Sequence, residues 1–149
     1  MNGWLLDTNV ISEVSGARPD RRVQSWIESL PEHLLFLSIL TIAEYLKGIA
    51  NLPSGHSRRP RLQQAVISLQ TRFSGRILPV SDEIVLRWGS ISGEVRRLTG
   101  HPPPVIDMLL AATAVEHNLY LATRNVADVA GSGAIVFNPW TDDPTDFPV

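Results

Sequence analysis

The amino-acid sequence predicts an α/β fold of three layers, a central and mainly parallel sheet flanked by helices. Short apolar, β-rich runs alternate along the chain with longer segments of helical periodicity. Those helical segments are long enough to serve as crossovers between parallel strands. Prolines and glycines mark the breaks between segments, and no internal repeat or composition shift divides the chain. At 149 residues a single domain over 1–140 is expected, with 141–149 as a flexible tail.

Each element has its own warrant. Trp4–Leu6 reads as a buried strand closed by Asp7, with a helix over Val10–Val14 beginning almost at once. A second helix, Arg21–Leu30, is stopped by Pro31, and Leu34–Leu37 is the next strand. In the helix Ile39–Asn51, a turn of about 100° per residue puts Ile42, Tyr45, Leu46 and Ile49 on one apolar face. Pro53-Ser54-Gly55 is a loop, followed by the helix Arg61–Phe73 and the strand Arg76–Val80. The helix Asp82–Leu98 ends before Gly100-His101-Pro102-Pro103-Pro104, where stacked prolines forbid continuation. Val105–Glu116 is apolar nearly all round, as a helix buried between layers should be. Tyr120–Thr123 and Ala134–Phe137 are the last strands, with a short helical turn after Asn125. Thr141–Val149 carries three aspartates and two prolines and is expected not to pack.

Composition excludes several classes. The chain is 44% hydrophobic and 19% charged, ordinary for a globular protein, and has no cysteine. Neither a disulfide framework nor a thiolate metal site is therefore possible. No apolar run approaches the roughly 18–20 residues of a membrane span, and no basic segment precedes a long apolar core. A cytoplasmic location and no membrane partner are expected. The net charge of −2 does not advertise a nucleic-acid binder, although Lys47 is the only lysine among 13 basic residues. Arginine suits bidentate phosphate recognition, and genomic base composition explains the bias equally well. The clusters Arg58/Arg59/Arg61, Arg72/Arg76 and Arg96/Arg97 read as solvated helix faces.

The acids carry the chemical signal. Ligands of open parallel sheets gather at the carboxyl ends of the strands, where Asp7 sits. Asp7 is equally a plain helix N-cap, with Thr8 and Asn9 able to orient it in either role. Glu44 points away from the apolar face of its helix and shares a face with Thr41 and Gly48; by itself it reads best as a solvated partner of Lys47. Asp107 sits among apolar neighbours, where an ionised carboxylate is costly unless paired or metal-bound. A first-turn acid favoured by the helix dipole is the alternative. Asn125 can offer an amide oxygen at the fourth strand end, and Asp128, a helical turn later, reads as a surface residue. No lysine sits near enough in sequence to neutralise Asp7 or Asp107. Three carboxylates brought together without a cation repel one another, so the cluster implies a divalent metal and a hydrolase acting on phosphodiesters. His33, His56, His101 and His117 show no shared spacing, which disfavours a metal-independent histidine mechanism.

Together, Leu6-Asp7-Thr8-Asn9-Val10-Ile11-Ser12-Glu13, Ile42-Ala43-Glu44, Asp107 with Leu110-Ala111-Ala112-Thr113-Ala114, and Ala122-Thr123-Arg124-Asn125 resemble the PIN domain. The closing Phe137-Asn138-Pro139-Trp140 is similar to its VapC/FitB branch, the toxins of type II toxin–antitoxin pairs. The resemblance runs from residue 4 to about residue 140. It implies an endoribonuclease dependent on Mg²⁺, with Mn²⁺ able to substitute, that hydrolyses RNA with a metal-activated water to leave a 5′-phosphate and a 3′-hydroxyl. It also implies a cognate antitoxin covering the site, and a homodimer or a toxin–antitoxin hetero-oligomer. Carried over by position, Asp7 and Asp107 become the principal metal ligands and Glu44 completes the acidic site. Asn125 stands at a fourth position that is often an aspartate in the family, and brings no charge for a second metal.

Two other readings fit some of these residues. Receiver domains and haloacid-dehalogenase-like phosphatases also place acids at strand ends, but they keep a lysine nearby, and the motif here is Asp-Thr-Asn rather than Asp-X-Asp. An inactive scaffold that binds an antitoxin without cleaving RNA would be consistent with Asn125. For the antitoxin itself, Val10, Ile11 and Val14, with Trp26 and Ile27, are either core or a groove for an apolar helix that presents an arginine to the acids.

Overall fold

A computed structural model describes residues 1–149. Five strands form one parallel sheet in the order β3-β2-β1-β4-β5: β1 (Trp4–Leu6), β2 (Leu35–Ser38), β3 (Ile77–Leu78), β4 (Tyr120–Ala122) and β5 (Val136–Phe137). Six helices connect them: α1 (Thr8–Val14), α2 (Arg21–Ser29), α3 (Ile39–Asn51), α4 (Arg58–Arg72), α5 (Asp82–Thr99) and α6 (Val105–Glu116). The expected α/β architecture of helices on both faces of a parallel sheet is what the chain forms.

The alternation of strand side chains builds two cores. Trp4 and Leu6 of β1, Leu35 and Leu37 of β2, and Tyr120 and Ala122 of β4 face α1 to α4. Leu5 and Leu121 point the other way, onto Val95 of α5 and Met108, Leu110, Ala111 and Ala114 of α6. Strands covered on both faces have no polar side to show, which explains their unbroken apolar runs. Helix α6 lies between the sheet and α5, and this is why it is apolar nearly all round. Gly3 enters β1 at φ +146°, and a Cβ there would stand 2.3 Å from the Leu34 carbonyl oxygen, so β1 and β2 can approach only with glycine at this point.

Boundaries differ from expectation for local reasons. Helix α1 starts at Thr8, because Asp7 caps it and the polar pair Thr8-Asn9 forms its first turn. Helix α4 starts at Arg58, since Pro60 falls in the first turn, where no backbone donor is lost. Strand β3 shrinks to two residues ahead of Pro79, which has no N–H for the ladder, and β5 also keeps only two.

The segment after residue 140, expected not to pack, lies against the core. The Phe147 ring packs 4.9 Å from Phe137, 5.3 Å from Tyr120 and 6.1 Å from Trp4, centroid to centroid. The Tyr120 hydroxyl donates to the Pro148 carbonyl at 2.8 Å. One aromatic residue among the aspartates and prolines is enough to draw the segment onto the core. Of the two readings of the first helical surface, core packing holds for Val10, Ile11 and Trp26, which are buried, while Val14 and Ile27 are partly accessible. No helix is long and apolar enough to cross a membrane.

Candidate active site

The strand order turns back at β1, whose neighbours β2 and β4 lead in opposite directions. A crevice opens at such a switch point, beyond the carboxyl ends of the strands. Here it is a cleft of about 630 Å³, and Asp7, Glu44, Asp107 and Asn125 all line it. The four residues singled out from the sequence thus converge.

Asp7 follows β1 directly. Its N–H continues the sheet by donating to the Ala122 carbonyl at 3.0 Å, and its side chain caps α1. Oδ1 accepts from the Thr8 N–H at 2.7 Å; Oδ2 accepts from the Thr123 hydroxyl at 2.7 Å and from Asn9 Nδ2 at 3.1 Å. The N-cap and the site role are therefore compatible. Burial raises the Asp7 pKa, and these three donors work against the rise.

Glu44 lies in α3, which begins at once after β2 because Ser38 caps it by accepting from the Leu40 N–H at 3.1 Å. Thr8 Oγ1 is 2.9 Å from Glu44 Oε1 and 3.1 Å from Thr41 Oγ1. A hydroxyl has one proton, and the carboxylate only accepts, so Thr8 donates to Glu44 and receives from Thr41. The chain's ion pairs are Arg72–Glu32, Arg87–Glu116 and Arg97–Glu94, so the expected Glu44–Lys47 pair does not form. Burial raises the Glu44 pKa, the Thr8 hydrogen bond lowers it, and the Asp7 charge raises it further.

Asp107 stands in the first turn of α6, as the dipole argument anticipates, yet its pKa is pushed up to about 6. Desolvation is the largest cause, followed by the charges of Asp7, Asp128 and Glu44. Burial and like charges outweigh the dipole, whose benefit is usually below about 1 kcal/mol. Asp128 is exposed and outside the lining of the cleft, though its charge reaches Asp107. None of the four histidines lines the cleft.

Further lining residues went unassigned at the sequence level. Glu13 adds a fourth carboxylate; it follows Asn9 by one helical turn, so helical spacing could have revealed it. Arg124 and Trp140 close one side, brought together from the segments that follow β4 and β5. No local pattern links them.

No three of the chain's aspartates, glutamates and histidines stand close enough to form a ready-made cage for a metal ion. The donor set is nevertheless oxygen-only and in excess of positive charge, the chemistry a hard divalent cation requires. Mg²⁺ in particular is commonly held by one or two carboxylates while keeping several waters.

The family model "PIN domain" matches residues 4–127. The chain is 37% identical to Toxin FitB of Neisseria gonorrhoeae, covering 93% of this chain and 99% of that protein. It is 34% identical to VapC ribonuclease Y4jK of Sinorhizobium fredii, over 91% of this chain and 96% of that one. Among solved structures, FitAcB from Neisseria gonorrhoeae superposes with a TM-score of 0.81 at 36% identity, covering 92% of this chain and 98% of that chain.

Proposed function

Since the chain belongs to the PIN domain family, we propose that it is the toxin of a type II toxin–antitoxin pair and acts as a divalent-metal-dependent endoribonuclease. The observation that supports this most is the convergence of Asp7, Glu44 and Asp107 on one open cleft whose only basic residue is Arg124. The names of its relatives, one a toxin and one a ribonuclease, point the same way.

Asp7 and Asp107 are the residues that would hold Mg²⁺, or Mn²⁺ in its place, with Glu44 completing the acidic site. When bound, such an ion neutralises charge at the scissile phosphate and makes water a competent nucleophile near neutral pH. The chain's own groups do the rest. Asp7 is immobilised by its three donors, so its free lone pair has a fixed direction. Asp107 makes no hydrogen bond with its carboxylate and is open to a ligand. Glu44 is anchored by Thr8, with its proton affinity raised by burial, and is suited to orient the attacking water or take its proton. Asn125 offers a neutral amide beside the phosphate.

An open cleft that cuts RNA must be restrained in the cell that makes it, and an antitoxin covering the cleft does this. A homodimer or a toxin–antitoxin hetero-oligomer is the proposed assembly, and α5 exposes Val85, Leu86 and Leu98 for such contacts.

The test is incubation of total RNA with purified antitoxin-free protein in Mg²⁺ or Mn²⁺, against EDTA and Asp7→Asn controls. Discrete fragments that disappear in both controls are expected. Absence of cleavage by the folded protein would overturn the ribonuclease reading. The neutral Asn125 would then favour a scaffold that binds its partner without cutting RNA.

A further inference from the structure

Within the cleft, four carboxylates face one cation, Arg124, and that cation pairs with none of them. Its guanidinium lies over the Trp140 ring, 5.1 Å from the ring centroid. An arginine drawn only by the acids would close an ion pair; this one is held at the rim by the aromatic face instead. The Arg124 N–H donates to Asn9 Oδ1 at 3.3 Å, which ties the backbone behind the guanidinium to the first turn of α1.

Trp140 is itself held. Its N–H donates to Asn138 Oδ1 at 3.0 Å, and the Asn138 N–H donates to Asp142 Oδ2 at 2.7 Å. Arg22 of α2 reaches across to the carbonyls of Thr141 and Asp142 at 3.0 and 2.7 Å. The indole packs against the aromatic core with its lining face toward the cleft. The result is an exposed guanidinium with restricted motion and unused donors beside an acidic cleft. Among the charged groups lining that cleft, a nucleic-acid strand meets four carboxylates that repel it and this one cation that attracts it.

We propose that Arg124, positioned by Trp140, binds a backbone phosphate of the substrate strand next to the phosphate held at the acids, and so sets where the strand lies in the cleft. This rests on the ribonuclease reading above for the identity of the strand. The guanidinium is planar with five donors and matches two phosphate oxygens at once, which lysine does not. Such a contact fixes register and orientation and carries no base information.

The experiment is steady-state cleavage of a fluorescein-labelled single-stranded RNA oligonucleotide by wild type, Arg124→Ala, Arg124→Lys, Trp140→Phe and Trp140→Leu, over a range of salt. Anisotropy of the same oligonucleotide is read alongside, with Asp7→Asn added to each protein to prevent turnover. Arg124→Ala should raise KM and Kd about tenfold, the usual size of a charge-assisted contact, with the loss falling on KM rather than kcat. The slope of log Kd against log salt should flatten by about 0.7, one phosphate contact on a single strand. Lysine should restore part of the affinity. Trp140→Phe should stay near wild type, and Trp140→Leu should move KM toward the Arg124→Ala value with the melting temperature monitored by circular dichroism.

Unchanged KM, Kd and salt slope in Arg124→Ala would overturn the proposal. So would a loss confined to kcat. If wild type cleaves nothing, the ribonuclease reading fails by itself, and the anisotropy series still decides whether Arg124 holds a phosphate.

Discussion

At the scale of single residues, the site is a set of carboxylates kept in an unfavourable setting. The Asp107 carboxyl is held at about 6, above its ordinary 3.8, first by desolvation and then by its acidic neighbours. A group raised in this way binds a proton more tightly in the folded chain than in the unfolded one. Its stabilising contribution is therefore complete below the unfolded value and is lost as the pH rises through about 6. Asp107→Asn, measured by thermal melts in EDTA, should raise the melting temperature above about pH 7. The gain should shrink as the pH falls through about 6 and vanish near 3.8. A gain independent of pH would trace the effect to packing instead. Asp7 and Asp107 stood out in the sequence because a carboxylate beside an apolar run is conspicuous. Glu44 taken alone reads as a solvated partner of Lys47, since its environment comes from Thr8 on another element.

At the scale of elements, most of what positions the site is local chemistry at strand ends. Asp7 caps α1 and Ser38 caps α3, so each strand passes into a helix without a loop and delivers its acid to the same edge. Arginines that looked like solvated faces turn out to brace these elements. Arg59 donates to the carbonyls of Ile49 and Leu52 at 2.9 and 2.8 Å, closing the C-terminal end of α3 against α4. Arg76 does the same for the Glu32 and Leu35 carbonyls at 2.6 and 2.7 Å. Arg59→Met should cost about 1–3 kcal/mol in urea denaturation, because it leaves helix-end carbonyls without their charged donor. RNA cleavage at a temperature where the variant stays folded should match wild type. A stability equal to wild type would mean that water replaces the guanidinium at no cost.

At the scale of the molecule, the sheet is a partition with an aromatic-rich core on one side and a smaller aliphatic core on the other. The chain's last residues belong to the first of these. Truncation after Asp143 removes Phe147 and strips the Tyr120 hydroxyl of its acceptor. It should lower stability by about 1–3 kcal/mol and the melting temperature by several degrees, read by thermal denaturation. An unchanged melting temperature would show that the segment does not hold its place in solution. The sequence by itself determined the order of strands and helices, the parallel sheet and the strand-end placement of Asp7 and Asn125. Those features follow from periodicity, turn chemistry and capping, which act over a few residues. Only the tertiary structure decided that Trp26 is core, that Phe147 anchors the tail and that Trp140 holds Arg124 at the rim of the acids. Each of these depends on segments far apart in the chain meeting across the sheet, and no short-range pattern encodes such a meeting.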